Sequence, residues 1–359
     1  MTIRTSVELS DGRELLYFDD APGADRTAPD RRDLPETHNA SQVRWDPIFG
    51  DWSVIAGHRQ SRTYKPPSDD CPLDPTRGDR YTEIPAADYD VVVFENRFPS
   101  LATSALENVP VVEDPPFSSW PGTGRCEVVC FTSDHNTSFA QLPLSRVHTV
   151  FDAWVDRTVA LSSVPGVEYV FAFENRGEEI GVTLSHPHGQ IYGYPFVPAR
   201  FGKVIASNTA YRAEHDACLQ CDIAEAERKA GERVVLDTEH VLVYVPFAAR
   251  WPYEVRIVPH RHVPDLPSLT TDERHQLAEV YLDVLQRFDR LFDTPAPYIS
   301  GWQQAPVAAG RDDWHLANEL FTIRRANGKL KYLAGSESGA AVWINDITPE
   351  QAAARLRGE

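Results

Sequence analysis

Two histidines two residues apart, His186 and His188, lie in the run Ser185-His186-Pro187-His188-Gly189-Gln190-Ile191-Tyr192. A neutral imidazole can ligate a metal, act as a base or attack as a nucleophile. Apolar runs flank the motif: one ends at Phe173-Glu174-Asn175, and Ile191 to Val197 follows. Two strands joined by a Gly-rich bend would carry both imidazoles into one pocket, because residues two apart on a strand face the same side. Gln190 comes next along that edge. The plainer alternative is a pair of surface histidines near a turn. The remaining histidines and cysteines argue against it.

Cys71-Pro72-Leu73-Asp74 and Cys218-Leu219-Gln220-Cys221 start two similar series. In each, strands follow, then a histidine closing a strand, a helix of about 20 residues, and two further strands of which the last carries a histidine. The separations agree: 186 − 135 = 51 residues for His135 and His186, and 315 − 262 = 53 for His262 and His315. This predicts an internal duplication with one four-ligand site per copy. The sets are Cys71, Asp74, His135 and His186, and Cys218, Cys221, His262 and His315. C-x-x-C with two distant histidines suits tetrahedral zinc, so one or two zinc ions per chain are expected. Asp74 is the weaker ligand, and unmetallated core Cys and His are the alternative. Ala317 stands where His188 stands in the first copy, and Glu319 where Gln190 stands. If His186 and His315 serve metals, His188 is the free imidazole, and one catalytic centre per chain is expected, in the first half.

The elements that must position these residues are readable as short apolar runs. Trp52 to Ala56 and Val91 to Phe94 read as strands, as do Cys126 to Phe131, where Cys126 and Cys130 pack in the core, and Tyr169 to Phe173. Helical spacing runs over 144–163 and 271–292. Further strands are expected at Val234 to Leu236, Val241 to Val245, Glu254 to Val258, Tyr298 to Trp302 and Trp314 to Leu320. Arg59 and Arg62, three apart in a loop, could fork onto phosphate oxygens. Residues 1–42 are Asp/Arg/Pro-rich and read as a polar, extended or partly mobile arm.

The bulk numbers exclude other classes. A chain of 359 residues suits two domains or one duplicated domain. A net charge of -18 argues against nucleic acid and anionic membrane surfaces. No apolar run approaches the length of a membrane span. Met1 to Glu8 is no signal peptide, and an odd number of cysteines, five, reads as reduced thiols or ligands. A cytoplasmic protein is expected.

A histidine beside a metal-bound histidine, near arginines and a glycine loop, suits attack on phosphorus. On these residues the chain resembles the galactose-1-phosphate uridylyltransferases of the histidine-triad superfamily. The closest likeness is Phe173 to Gly177 with Gly181 and Thr183, then His186-Pro187-His188-Gly189-Gln190. Arg44-Trp45-Asp46-Pro47, His58 to Arg62, Asn96-Arg97-Phe98, Ser133-Asp134-His135, Trp251 to Glu254 and the tail Lys329 to Glu337 add to it. The resemblance implies an α+β fold of two histidine-triad-like halves, each an antiparallel sheet with packed helices. They would span 43–205 and 206–359, the latter with the tail. It implies ping-pong transfer: UDP-glucose gives UMP to His188, and galactose 1-phosphate then takes it. It assigns nucleotide or phosphate contacts to Arg59, Arg62, Asn96, Asn175, Gly181, Thr183 and Gln190. It also implies a homodimer whose tail, around Lys331, Tyr332 and Glu337, reaches the partner's nucleotide.

Four departures bear on specificity. Asp74 stands for a second cysteine, and Arg97 follows Asn96 where a small acidic residue is common. No His-x-His occurs at Ala317 and Glu319, and the second metal set resembles that of plant ADP-glucose phosphorylase. A sibling acting on ADP-glucose or another sugar 1-phosphate, or an inactive zinc-stabilised nucleotide-binding protein, therefore stays open.

Overall fold

The computed structural model describes residues 2–34, 39–61, 66–105 and 109–359. Branched and aromatic runs form its strands. Eleven of them are β1 (Ile3–Glu8), β2 (Glu14–Asp19), β3 (Val91–Glu95), β4 (Arg125–Cys130), β5 (Tyr169–Arg176), β6 (His188–Tyr194), β7 (Val234–Asp237), β8 (Val241–Tyr244), β9 (Val255–Pro259), β10 (Tyr298–Gln303) and β11 (Ala317–Phe321). They make one antiparallel sheet in the order β1-β2-β3-β4-β6-β5-β10-β11-β9-β8-β7. The order reads the same outward from the β5–β10 seam. On one side lie β6, β4, β3 and β2, and on the other β11, β9, β8 and β7 answer them in turn. This α+β architecture has the repeat that the Cys/His spacing predicts.

Five helices are described: α1 (Leu144–Ser162), α2 (Ala199–His215), α3 (Leu219–Ala230), α4 (Thr271–Asp289) and α5 (Pro349–Arg357). Helix α1 falls between β4 and β5, and α4 between β9 and β10, again in matching places. A capping box starts α4: Thr270 accepts from the Glu273 amide at 3.3 Å, and Glu273 accepts from the Thr270 amide at 2.8 Å. The apolar stripes of α1 and α4 share one core beneath the sheet. Phe151 of α1 meets Trp302 of β10 at 5.5 Å between ring centroids, and Tyr281 of α4 meets it at 5.8 Å. Such pairs add to the burial of their large apolar area. Among the described residues, no helix is long and apolar enough to cross a membrane.

A smaller sheet pairs Gln42–Asp46 with Asp51–Ile55 and Phe117–Pro121, the last also with Val112–Asp114. Trp52 and Trp120 pack at 4.5 Å, and Trp52 stacks on Phe196 at 5.9 Å. That anchors the sheet to the chain leaving β6, and its second strand leads into the short helical turn Gly57–Ser61 that carries Arg59.

Two expectations change. Regular structure begins at Ile3, not near Arg44, and residues 1–42 are not simply an arm. Strands β1 and β2 form a hairpin, and β2 pairs with β3. Leu15, Leu16, Tyr17 and Phe18 are buried. The run is only six residues long and has an acid at each end, so the polar composition around it hid it. Secondly, β11 starts at Ala317 rather than Trp314, because the His315 amide donates to Gln220 Oε1 at 3.0 Å and the Leu316 amide to the Val263 carbonyl at 2.7 Å, outside the ladder. Leu16→Ala is expected to cost about 2–4 kcal/mol, as a methylene deletion in a packed core does. Urea unfolding measures it, and a loss below about 0.5 kcal/mol, the scale of a surface change, would mean the hairpin adds nothing to the core.

Candidate active site

Strand β6 sorts its residues strictly by parity. Ile191 is fully buried in the helix-side core. His188, Gln190 and Tyr192 fall on the opposite face and line a cavity of about 380 Å³. Asn175 of β5 comes from the neighbouring strand, and Asn96 lies just past β3. Gly181 and Thr183 come from the bend between β5 and β6, and Arg59 from the smaller sheet's turn. Gly181 holds φ +89°, a conformation that only glycine takes freely. Seven of the predicted nucleotide or catalytic positions thus meet in one cavity. Arg62 lies outside the described residues.

The tautomer of His188 follows from one contact. Its Nδ1 lies 2.8 Å from the carbonyl oxygen of His186. A carbonyl only accepts, so Nδ1 carries the proton and Nε2 keeps the lone pair. Burial pushes this imidazole below its usual pKa, partly opposed by that hydrogen bond. The ring is therefore neutral near pH 7, as a nucleophile must be.

Both expected ligand sets assemble, each with its donor atoms within 4.8 Å of one another. In the first, Asp74 Oδ1 lies 2.9 Å from His135 Nδ1 and 3.0 Å from His186 Nδ1. In the second, Cys221 Sγ lies 3.2 Å from Nδ1 of both His262 and His315. The far nitrogens explain what the near ones can do. His186 Nε2 is 2.7 Å from the Thr132 carbonyl, His315 Nε2 is 2.8 Å from that of Pro259, and His262 Nε2 is 3.1 Å from that of Asp312. Each carbonyl fixes the proton on Nε2, so the Nδ1 lone pair of His186 faces the Asp74 carboxylate, and those of His262 and His315 face one sulfur that carries at most one proton. A cation between them removes that repulsion, and backbone carbonyls behind ligating histidines are the usual support. The Cys218 thiol is held below its usual pKa, first by the Cys221 hydrogen bond, then by His262. That favours the ligating thiolate. Both sets fit a metal.

The tail stands apart from this cavity. Lys331 pairs with Glu337 at 2.7 Å, both buried, and Tyr332 is 72 % exposed. None of the three lines the cavity. Other residues belong to the site but carry no motif. Leu73, Phe98, Phe173 and Leu184 supply apolar wall, and Tyr192 lies beside Gln190. Arg97 lines the cavity too, and the Nε atoms of Arg59 and Arg97 are buried without a hydrogen-bond partner. Glu174, on the helix side of β5, borders an adjoining cavity of about 290 Å³, and burial pushes its carboxyl up to about 8. Parity with Gln190 was the available signal for Tyr192; the wall residues had none.

The comparisons with known proteins agree with this geometry. The model of the galactose-1-phosphate uridyl transferase N-terminal domain matches residues 32–198, and that of the C-terminal domain matches 205–358. The galactose-1-phosphate uridylyltransferase of Streptomyces lividans is 45% identical, covering 99% of this chain and 97% of its own. That of Thermotoga maritima is 39% identical over 88% of this chain and 98% of its own. A solved uridylyltransferase structure, 32% identical, superposes with a TM-score of 0.80 over 88% of this chain and 98% of that one. Matched along nearly its whole length, the chain belongs to the galactose-1-phosphate uridylyltransferase family.

Proposed function

We propose that this chain moves a uridylyl group from UDP-glucose to galactose 1-phosphate, with His188 as the carrier. The observation that carries the reading is the fixed tautomer of His188: the His186 carbonyl at 2.8 Å leaves Nε2 bare in a cavity shared with Arg59, Asn96, Asn175 and Gln190. The Nε2 lone pair attacks the α-phosphorus of UDP-glucose, and the bond from that phosphorus to the bridging oxygen breaks. Glucose 1-phosphate leaves with the electron pair. A phosphate oxygen of galactose 1-phosphate then attacks the same phosphorus, UDP-galactose departs and Nε2 recovers its lone pair. Splitting the transfer in two suits an imidazole, which is both nucleophile and leaving group. The Gln190 amide and the Arg59 guanidinium supply donors for the phosphoryl oxygens as charge builds.

Zinc is the metal whose ligand preferences suit Cys218, Cys221, His262 and His315, and the set with Asp74 suits it with one carboxylate. Its contribution would be structural: a cation there would join distant segments, among them His186 at the mouth of β6. Because His186 also supplies the carbonyl that fixes His188, the first ligand set supports the nucleophile directly. The homodimer reading rests on the tail. Exposed Tyr332, with Lys331 and Glu337 locked beside it, suits contact with a partner's nucleotide rather than its own. Unpaired cysteines suit a reducing, cytoplasmic setting.

Protein incubated with UDP-glucose radiolabelled in its α-phosphate is expected to keep acid-labile label, and His188→Asn to keep none. Labelled ADP-glucose tests the sibling reading in parallel; stronger label from it would replace UDP-glucose as the donor. Because burial lowers the His188 pKa, its neutral form persists as pH falls through the usual histidine midpoint. The labelling rate should therefore decline only below that midpoint. Metal analysis is expected to find one or two zinc ions per chain, with one fewer in Cys221→Ser and a lower unfolding temperature for that variant. A metal-free parent protein of unchanged stability would rule the structural role out.

A further inference from the structure

Tyr192 stands two residues beyond Gln190 on β6, faces the same cavity, and places its hydroxyl 3.1 Å from Gln190 Oε1. A phenol can donate one hydrogen bond and accept others, so its role depends on its other neighbours. Burial raises the phenol pKa, with Cys126 adding to the rise and the nearby Arg59 charge countering part of it. The Tyr192 hydroxyl donates its proton to Gln190 Oε1. This settles the direction of the amide. With Oε1 tied to Tyr192, both N–H groups of Nε2 are left for a ligand. A flipped amide would instead turn its oxygen toward phosphoryl oxygens, acceptor against acceptor.

We propose that Tyr192 is a positioning residue that holds the Gln190 amide with its donor end toward the transferring phosphoryl group. The role rests on the transferase reading above. The bond from Tyr192 to Gln190 polarises the amide, and Arg59 lines the same cavity wall. Packing is a separate matter: the Tyr192 ring meets Phe173 edge-on at 5.1 Å and Tyr194 at 5.8 Å. Phenylalanine keeps those contacts and loses only the hydroxyl.

The test is single-turnover labelling of the full-length protein with radiolabelled UDP-glucose, in four versions: parent, Tyr192→Phe, Gln190→Ala, and both together. At saturating donor, Tyr192→Phe is expected to label about tenfold more slowly, less than the roughly hundredfold for losing a charge-stabilising donor outright, because the amide is misdirected rather than removed. The donor concentration for half-maximal rate should change less than about twofold, since the bond matters most as charge develops. In the Gln190→Ala background the same substitution is expected to change nothing further, because its effect passes through the amide. A general loosening of the site would slow both backgrounds equally, and that result overturns the proposal. So does a Tyr192→Phe rate within twofold of the parent's. If the parent itself takes no label, the transferase reading fails and this role with it. Label on the parent with no deficit in the variant sinks the role alone.

Discussion

The site depends on β6 keeping its register between β4 and β5. Gln190 pairs with Val128 on one side and Phe173 on the other. A slip of one residue would exchange the faces, sending His188 and Gln190 into the core. Two residues forbid it. Ile191 is fully enclosed on the helix side. Gly189 has no room for a side chain: a Cβ there would lie 2.8 Å from Phe131 Cζ and 2.9 Å from the Phe173 carbonyl oxygen. The glycine in His-Pro-His-Gly-Gln is thus a packing requirement of the sheet, and the catalytic parity follows from it.

The same sheet shows what stands in the second half where the first carries His188 and Gln190. About the β5–β10 seam, β11 occupies the place of β6, with Ala317 at the position of His188 and Glu319 at that of Gln190. There the space is taken by a buried polar cluster. Glu319 accepts from Arg200 at 2.5 Å and from Gln303 at 3.0 Å. Burial, then the nearby Glu319 charge, pushes the Glu254 carboxyl up to about 7. A cluster whose members satisfy one another makes a stable interior and a poor receptor. The Cys/His set, with Asp74 in place of one cysteine, assembles by contrast in both halves.

Sequence reading reached the parts of this molecule that rest on rare residues at fixed spacing. The duplication and the assembly of both Cys/His groups came from counting Cys and His, since few arrangements bring such residues to equal separations. The helices over 144–163 and 271–292 came from periodicity, because α1 and α4 each bury one stripe. What escaped has a common cause. The hairpin of β1 and β2 is short and set in polar chain, so composition outweighed its pattern. Helices α2, α3 and α5 bury few residues, and nothing periodic marked them strongly. The cavity wall, Leu73 and Phe98 for instance, consists of common apolar residues that acquire a role only when folding brings them together. Arg97 was noted as a departure, but only the structure shows it at the cavity.

That arginine bears on how a protein of net charge -18 holds a doubly anionic nucleotide sugar. Exposed charges farther than about 8 Å from a ligand are largely screened at physiological salt, so the immediate wall decides. Many of the chain's arginines are already matched: Arg157 with Glu127 at 2.8 Å, and Arg32 with Glu83 at 2.7 Å. At the cavity, the Nε atoms of Arg59 and Arg97 are buried with no protein partner among the described residues. A phosphate oxygen reaching either one would accept a charge-assisted hydrogen bond. The acidic surface and an anionic substrate are therefore compatible, because Arg59 and Arg97 stand in the cavity wall itself.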